Sequence, residues 1–154
     1  MRGRVFQTAF VVDDVPAAME EMSATLGVRW RDLHTGRVIY RTPTGEGEVD
    51  LTVVHSLQGP PVLELIGNVP GTMWSAPSPG ALHHTGQWTS DLAADMARLE
   101  AAGLELAATG RRASDDRDIF AYYRTGTGAI LELVDERLHP LLYGDPPLVP
   151  WDGA

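Results

Sequence analysis

The sequence predicts an α+β domain made of two successive modules, each a strand, a helix and then three or so strands, and three observations predict it. First, "RVFQTAFVVDDVPAAMEEMSATLGV" and "ALHHTGQWTSDLAADMARLEAAGL" share one order of features: a strand-like run, an acidic helix start, an amphipathic helix and a glycine. Second, laying Asp14 on Asp91 also lays Met19 on Met96, Met22 on Leu99 and Gln7 on His84, the mark of an internal duplication. Third, each helix is followed by short apolar or alternating runs separated by turn formers such as "PTGEGE", "QGPP" and "RTGTGA".

Taken in order, the opening run of the first module alternates, with Gln7, Ala9 and Val11 on one face and Phe6, Phe10 and Val12 around the other. Asp14 is the N-cap of the first helix, Pro16 sits in its opening turn and Gly27 stops it. Ala18, Met19, Met22 and Leu26 form its apolar face. The β-like runs "VRWRDL", "RVIYRT", "EVDLTVVHSL" and "PPVLELIGN" follow. "NVPGTMWSAPSPG", with three prolines, reads as a linker. In the second module Asp91 or Ser90 caps the helix, Leu92, Met96, Leu99 and Ala102 face inward, and Gly103 closes it. The runs "LELAATG", "DIFAYYRT" and "AILELVDE" complete that module. Residues 1–154 are then one domain, divided into a first module at 4–68, a linker at 69–80, a second module at 81–136 and a Pro-rich, extended tail at 137–154.

Composition narrows the function. With 12 basic against 21 acidic side chains the formal charge is −9, so nucleic acid is not an expected partner. No run has the apolar length of a membrane span, and "MRGRVFQTAFVVDDVP" does not read as a signal peptide. Together with zero cysteines this leads us to expect a cytoplasmic protein. There is no Gly-rich phosphate loop and no nucleophile elbow.

Chemistry enters through four polar residues on otherwise apolar strand faces. Gln7 lies beside Ala9 and Val11, Glu64 between Val62 and Ile66, His84 with Gly86 and Trp88, and Glu132 between Ile130 and Val134. A buried carboxylate must be neutralised, paired or metal-bound, and neither Glu64 nor Glu132 has a Lys or Arg within two positions. One divalent cation held by Gln7, Glu64, His84 and Glu132 would satisfy all four. Three oxygen donors and an imidazole suit Zn, Ni, Co, Mn or Fe. Four protein ligands in an octahedral shell leave two positions for adjacent substrate oxygens. Beyond the four, Trp88, His55 and Tyr122 are candidate pocket residues, with Tyr122 and Tyr123 facing opposite sides of their strand. His34 and His139 fall in turn-like or tail contexts, and "GRRASDDRD" reads as a solvated loop or a lid.

The arrangement resembles the vicinal oxygen chelate superfamily, the glyoxalase, methylmalonyl-CoA epimerase and bleomycin-resistance group. The resemblance rests on "FQTAFVVDDVPAAM", "VLELIGN", "GALHHTGQWTSD" and "GTGAILELVDE" and runs from Val5 to Asp135. It implies paired βαβββ modules in a curved mixed sheet around a cleft, with metal ligands on the first and last strand of each module. It selects His84 rather than His83 as ligand, and sends His83 to the helix-facing side. The order Gln, Glu, His, Glu is that of zinc-type glyoxalase I, and Asn68 matches a glutathione-contacting Asn of that group. Its anchoring arginines, however, fall on Val11 and Gly80 here. The local text "GALHHTG" is closer to the epimerases, from whose ligand pattern Gln7 and Glu64 depart.

The implied activity is that of an isomerase, epimerase or lyase. Glu132 or Glu64 would remove a proton next to a carbonyl of a small 2-oxo, hydroxy or acyl-CoA substrate, through a metal-stabilised enolate or enediolate. The resemblance also implies a homodimer. The alternative reading is a metal-free, antibiotic-sequestering protein of the bleomycin-resistance kind. An Fe(II) dioxygenase is a third; it needs two histidines, and His84 alone falls at a ligand position.

Overall fold

A computed structural model of the chain describes residues 4–151; the two ends of the expected 1–154 domain, 1–3 and 152–154, lie outside the described residues. The first half runs β1 (Val5–Val12), α1 (Val15–Leu26), β2 (His34–Thr42), β3 (Gly45–His55) and β4 (Val62–Gly67). The second runs β5 (Ala81–Thr89), α2 (Leu92–Ala101), β6 (Glu105–Arg112), β7 (Phe120–Arg124) and β8 (Ile130–Asp135). A 3-10 turn at Glu136–Leu138 leads into the short α3 (His139–Tyr143). No helix among the described residues is long and apolar enough to cross a membrane.

The eight strands close into a barrel in the order β1-β4-β3-β2-β6-β7-β8-β5. Within each half the first and last strands pair in parallel, β1 with β4 and β5 with β8. The halves join antiparallel at two seams, β1 with β5 and β2 with β6. The sheet is therefore mixed and curved, an α+β architecture whose concave face encloses a cavity. Closure leaves no open sheet edge.

The helices form for the local reasons the sequence shows. Asp14 Oδ1 accepts from the Ala17 amide at 2.9 Å, and Gly27 ends α1 in the left-handed region at φ 69°. Asp91 Oδ1 does the same for Ala94 at 3.0 Å. Met19 and Met22 pack α1 onto Phe10, Val54 and Leu65; Met96 and Leu99 pack α2 onto Ala121, Tyr123 and Leu133. Leu26, expected on the apolar face of α1, is exposed at the last residue of the helix.

Three segments depart from the expected pattern. The "VRWRDL" run is no strand: it makes one isolated bridge, Trp30 to Ser56, because it climbs from α1 over the barrel end. Gly110–Arg112, read as the start of a loop, is the end of β6. The tail is not simply extended: it folds into the 3-10 turn and α3 and returns across the barrel end. There Tyr143, Leu142, Leu138 and Leu148 pack with Phe6, Val62 and Val134.

Candidate active site

Strand register explains how four residues distant in sequence meet. In one row across the barrel wall Ala9 stands between Glu64 and His84; in the next, Gly86 stands between Gln7 and Glu132. The two small residues clear the middle of each row. A Cβ on Gly86 would lie 2.6 Å from Gln7 Cγ, so glycine is required there for Gln7 to point inward.

All four polar side chains are at least nine-tenths buried. Gln7 Nε2 lies 2.7 Å from Glu132 Oε2, 3.2 Å from Glu64 Oε2 and 3.1 Å from His84 Nε2. His84 Nε2 is 3.0 Å from Glu132 and 3.4 Å from Glu64. Burial alone would lower the His84 pKa, but the charges and hydrogen bonds of Glu132 and Glu64 outweigh it and raise it to about 10. Burial would likewise raise Glu64, but hydrogen bonds from His55 and His84 hold its carboxyl well below the ordinary range.

The paired histidines have separate tasks. The β1–β5 register slips between Ala9 and Phe10, so His83 is the extra residue of a bulge. The bulge overturns the expected alternation: His83 does not face a helix but turns onto its neighbour. His83 Nε2 donates to the Met73 carbonyl at 2.6 Å, so in neutral His83 the Nδ1 lone pair is free to accept from His84 Nδ1–H at 2.9 Å. That chain fixes the His84 ring and aims its Nε2 at the two carboxylates.

Beside the cluster lies a cavity of about 480 Å³, with Gln7, Glu64, His55 and Glu132 at its polar floor. His55 joins by register: it pairs with Glu64 across β3 and β4, and its Nε2 is 3.3 Å from Glu64 Oε1. Tyr122 lines the cavity with its ring 5.0 Å from His84, while Tyr123 turns away to donate to Glu100 at 2.8 Å. Burial, then Glu132 and Glu64, push the Tyr122 phenol well above its usual range, so it stays a donor.

Two expected pocket residues do not join. Trp88 stacks on Phe6 at 3.8 Å in the tail-covered cluster, because the same strand that brings His84 inward has by Trp88 reached the barrel end. Asn68 lies just beyond β4 and donates to Asp13 Oδ1 at 2.8 Å. Four residues past Glu64, it is about 13 Å further along the chain. His34, expected in a turn, is on β2 at the cavity mouth; His139 opens α3, 5.4 Å from the Trp88 ring.

Two residues escaped the sequence reading. Trp74, from the proline-rich linker, is fully buried inside the barrel, edge-on to Tyr40, Phe120 and Tyr122, and lines the cavity. Tyr143, from the tail, reaches back so that its hydroxyl donates to Gln7 Oε1 at 3.3 Å. Neither sits in a periodic segment, so no sequence signal marked them.

Among the described residues no group of three or more His, Asp or Glu side chains is spread as a metal-holding set. The Gln7 amide nitrogen occupies the middle of the cluster, where its two N–H bonds face three neighbours. The donor chemistry nonetheless fits a divalent ion: two carboxylates, an imidazole nitrogen and, after a half-turn of the Gln7 amide, its Oε1. The Tyr143 hydroxyl can serve either amide orientation, since it both donates and accepts.

A closed barrel of two βαβββ halves with a buried polar quartet beside its cavity is the architecture of paired-module, glyoxalase-like proteins. The sequence matches the Glyoxalase/Bleomycin resistance protein/Dioxygenase superfamily over residues 6–123. The chain belongs to that superfamily. The matched span stops before β8 and α3, and so before Glu132 and Tyr143. No curated protein sequence matches significantly. Among solved structures, a hypothetical protein from Bacillus halodurans superposes with a TM-score of 0.60 at 11% identity, covering 88% of this chain and 95% of that one. Streptomyces coelicolor methylmalonyl-CoA epimerase bound to 2-nitronate-propionyl-CoA gives 0.59 at 20% identity, over 86% and 93%. The epimerase of Mycobacterium tuberculosis gives 0.57 at 19%, over 85% and 86%. These likenesses concern the fold.

Proposed function

We propose that the chain is a metal-dependent isomerase, epimerase or lyase that removes a proton from carbon next to a carbonyl. The observation that carries this reading is the convergence of Gln7, Glu64, His84 and Glu132, all buried, in one cluster, three members of which, Gln7, Glu64 and Glu132, line the floor of the cavity. A divalent cation bound by Gln7 Oε1, Glu64, His84 Nε2 and Glu132 would supply Lewis-acid polarisation of the substrate oxygen. The chain's own residues do the rest. The hydrophobic cavity walls exclude water and strengthen every charge interaction at the floor. Glu64 is stabilised as carboxylate by His55 as well as His84, which lowers its basicity. Glu132 does not share the His55 contact, and we assign it as the base that takes the carbon-bound proton and returns it. The Tyr122 phenol, kept protonated, stands opposite Glu132 across the β7–β8 pair and is placed to donate to a substrate oxygen.

Metal analysis of the purified protein tests this. One ion per chain, lost in a Glu64→Ala/Glu132→Ala variant, is expected, with deuterium uptake next to the carbonyl of a small hydroxyketone or 2-oxo acid. Exchange that persists undiminished in Glu132→Gln overturns the assignment. One observation favours the second reading, metal-free capture of a small molecule: with Gln7 Nε2 inward the cluster satisfies itself by hydrogen bonds alone. Tight ligand binding without any ion would support it. In either reading the partner is a small molecule, and a homodimer remains our expectation for the assembly.

A further inference from the structure

We propose that the cavity selects a substrate of low charge with an apolar body the size of an aryl or branched alkyl group, and rejects coenzyme A thioesters. This rests on the reading of the site above and names its substrate class. Between the polar floor and a mouth that carries His34, Arg37, Arg112 and Ser114, apolar side chains form most of the wall: Leu51 from β3, Trp74 from the linker, Ile119 and Phe120 from the β7 end, Leu142 from α3. A volume of about 480 Å³ exceeds what a two- or three-carbon dicarbonyl fills, and falls in the range that encloses a ring-bearing ligand. An apolar group bound there leaves water for carbon contacts, which is the source of its affinity.

The two arginines that line the mouth, Arg37 and Arg112, are already paired with carboxylates. Arg37 is spent on both oxygens of Asp50 and on Glu48, a triad of net negative charge. Arg112 is held by Asp115 at 2.7 and 2.8 Å. Arg31, on the adjoining side, donates to the Pro146 carbonyl at 2.6 Å and lies over the Tyr143 ring. A nucleotide phosphate at the mouth would have to displace carboxylates from Arg37 and Arg112, in the field of a chain with a charge of −9. An uncharged hydroxyketone or dicarbonyl meets no such cost and can set two adjacent oxygens against the floor.

Calorimetric titration of the full chain, metal-free and Co2+-loaded, with 2-hydroxyacetophenone, hydroxyacetone and methylmalonyl-CoA tests the proposal. The first two ligands share the same oxygens and differ in a phenyl ring. The ring is expected to tighten binding about thirtyfold, the worth of burying that much apolar surface. Methylmalonyl-CoA is expected to bind more weakly than 2-hydroxyacetophenone. Leu142→Trp and, independently, Val38→Trp fill the cavity from different walls and should abolish the phenyl preference while leaving Co2+ uptake intact. A phenyl advantage below threefold, or tighter binding of methylmalonyl-CoA, overturns the proposal. Absence of Co2+ uptake and of deuterium exchange would defeat the catalytic reading instead. The phenyl preference is read in the metal-free chain as well, so the two failures are distinct.

Discussion

The placement of Trp74 inside the barrel makes a quantitative demand on stability. The side chain is 0% exposed and packs against three aromatic rings with centroids 5.3–6.3 Å away. Truncation to alanine removes the largest fully buried side chain of the described residues and leaves a hole that rigid strands cannot collapse to fill. Trp→Ala changes in such cores cost about 3–5 kcal/mol, the transfer of the ring and the cavity both contributing. At about 2–4 °C per kcal/mol for a chain of this size, Trp74→Ala should melt about 6–20 °C lower. Trp74→Phe keeps a ring in place and should lose less than half of that. Urea denaturation of the metal-free chain followed by circular dichroism measures both, with Leu26→Ala as a surface control expected within about 0.5 kcal/mol of wild type. If Trp74→Ala costs under about 1 kcal/mol, the 69–80 segment does not enter the barrel. Other residues would then form the inner wall of the cavity.

Three further outcomes follow from the site. Gly86→Ala drives a methyl against Gln7 Cγ and should weaken Co2+ affinity about tenfold or more, with thermal stability lowered modestly; unchanged affinity in a titration would mean Gln7 is not a ligand. Tyr143→Phe removes the hydroxyl that holds the Gln7 amide and should cost about tenfold in Co2+ affinity, read by cobalt absorption spectra, with the tail still packed. For the metal-free chain the sign of the pH dependence is set by a histidine raised above its unfolded value. The stabilisation from His84 is complete below about pH 6.5 and is lost as pH climbs through about 10, whereas that from Glu64, whose pKa is lowered, is lost on the acid side. Denaturation midpoints across this range should therefore fall toward alkaline pH, and His84→Gln should flatten that limb.

Much of the fold was legible because it is written in local chemistry. Caps at Asp14 and Asp91, Gly27 as a stop and the methionine faces of both helices concern neighbours in sequence, and neighbours are what a single sequence shows. The quartet was legible for another reason: a carboxylate flanked by valine, isoleucine and leucine has no stable place in a core without a partner, so Glu64 and Glu132 had to meet something. What failed was alternation carried too far. A single bulge moved His83 from the outer face to the side of His84, and strand length carried Trp88 past the cavity. Trp74 and Tyr143 depend on where a linker and a tail land after the barrel has closed. That is a property of the whole packing, and no periodicity of 2 or 3.6 encodes it.

The two halves contribute to the proposed centre from matching positions. Each half supplies one carboxylate from its last strand, Glu64 on β4 and Glu132 on β8, and one neutral donor from its first, Gln7 on β1 and His84 on β5. Two carboxylates and a divalent ion sum to zero, which is the cheapest state for a centre buried this deeply. A third carboxylate in place of Gln7 would leave the loaded centre with a net charge, and a second imidazole in place of Glu64 would leave it positive. A proton on His84 and the N–H groups of Gln7, which donate to Glu64 and Glu132, balance the two carboxylates. On the reading proposed above, binding a divalent ion would exchange one proton and one amide orientation for the metal. Tyr143, whose hydroxyl now donates to Gln7 Oε1 and could equally accept from the amide nitrogen, would then hold Gln7 in both orientations.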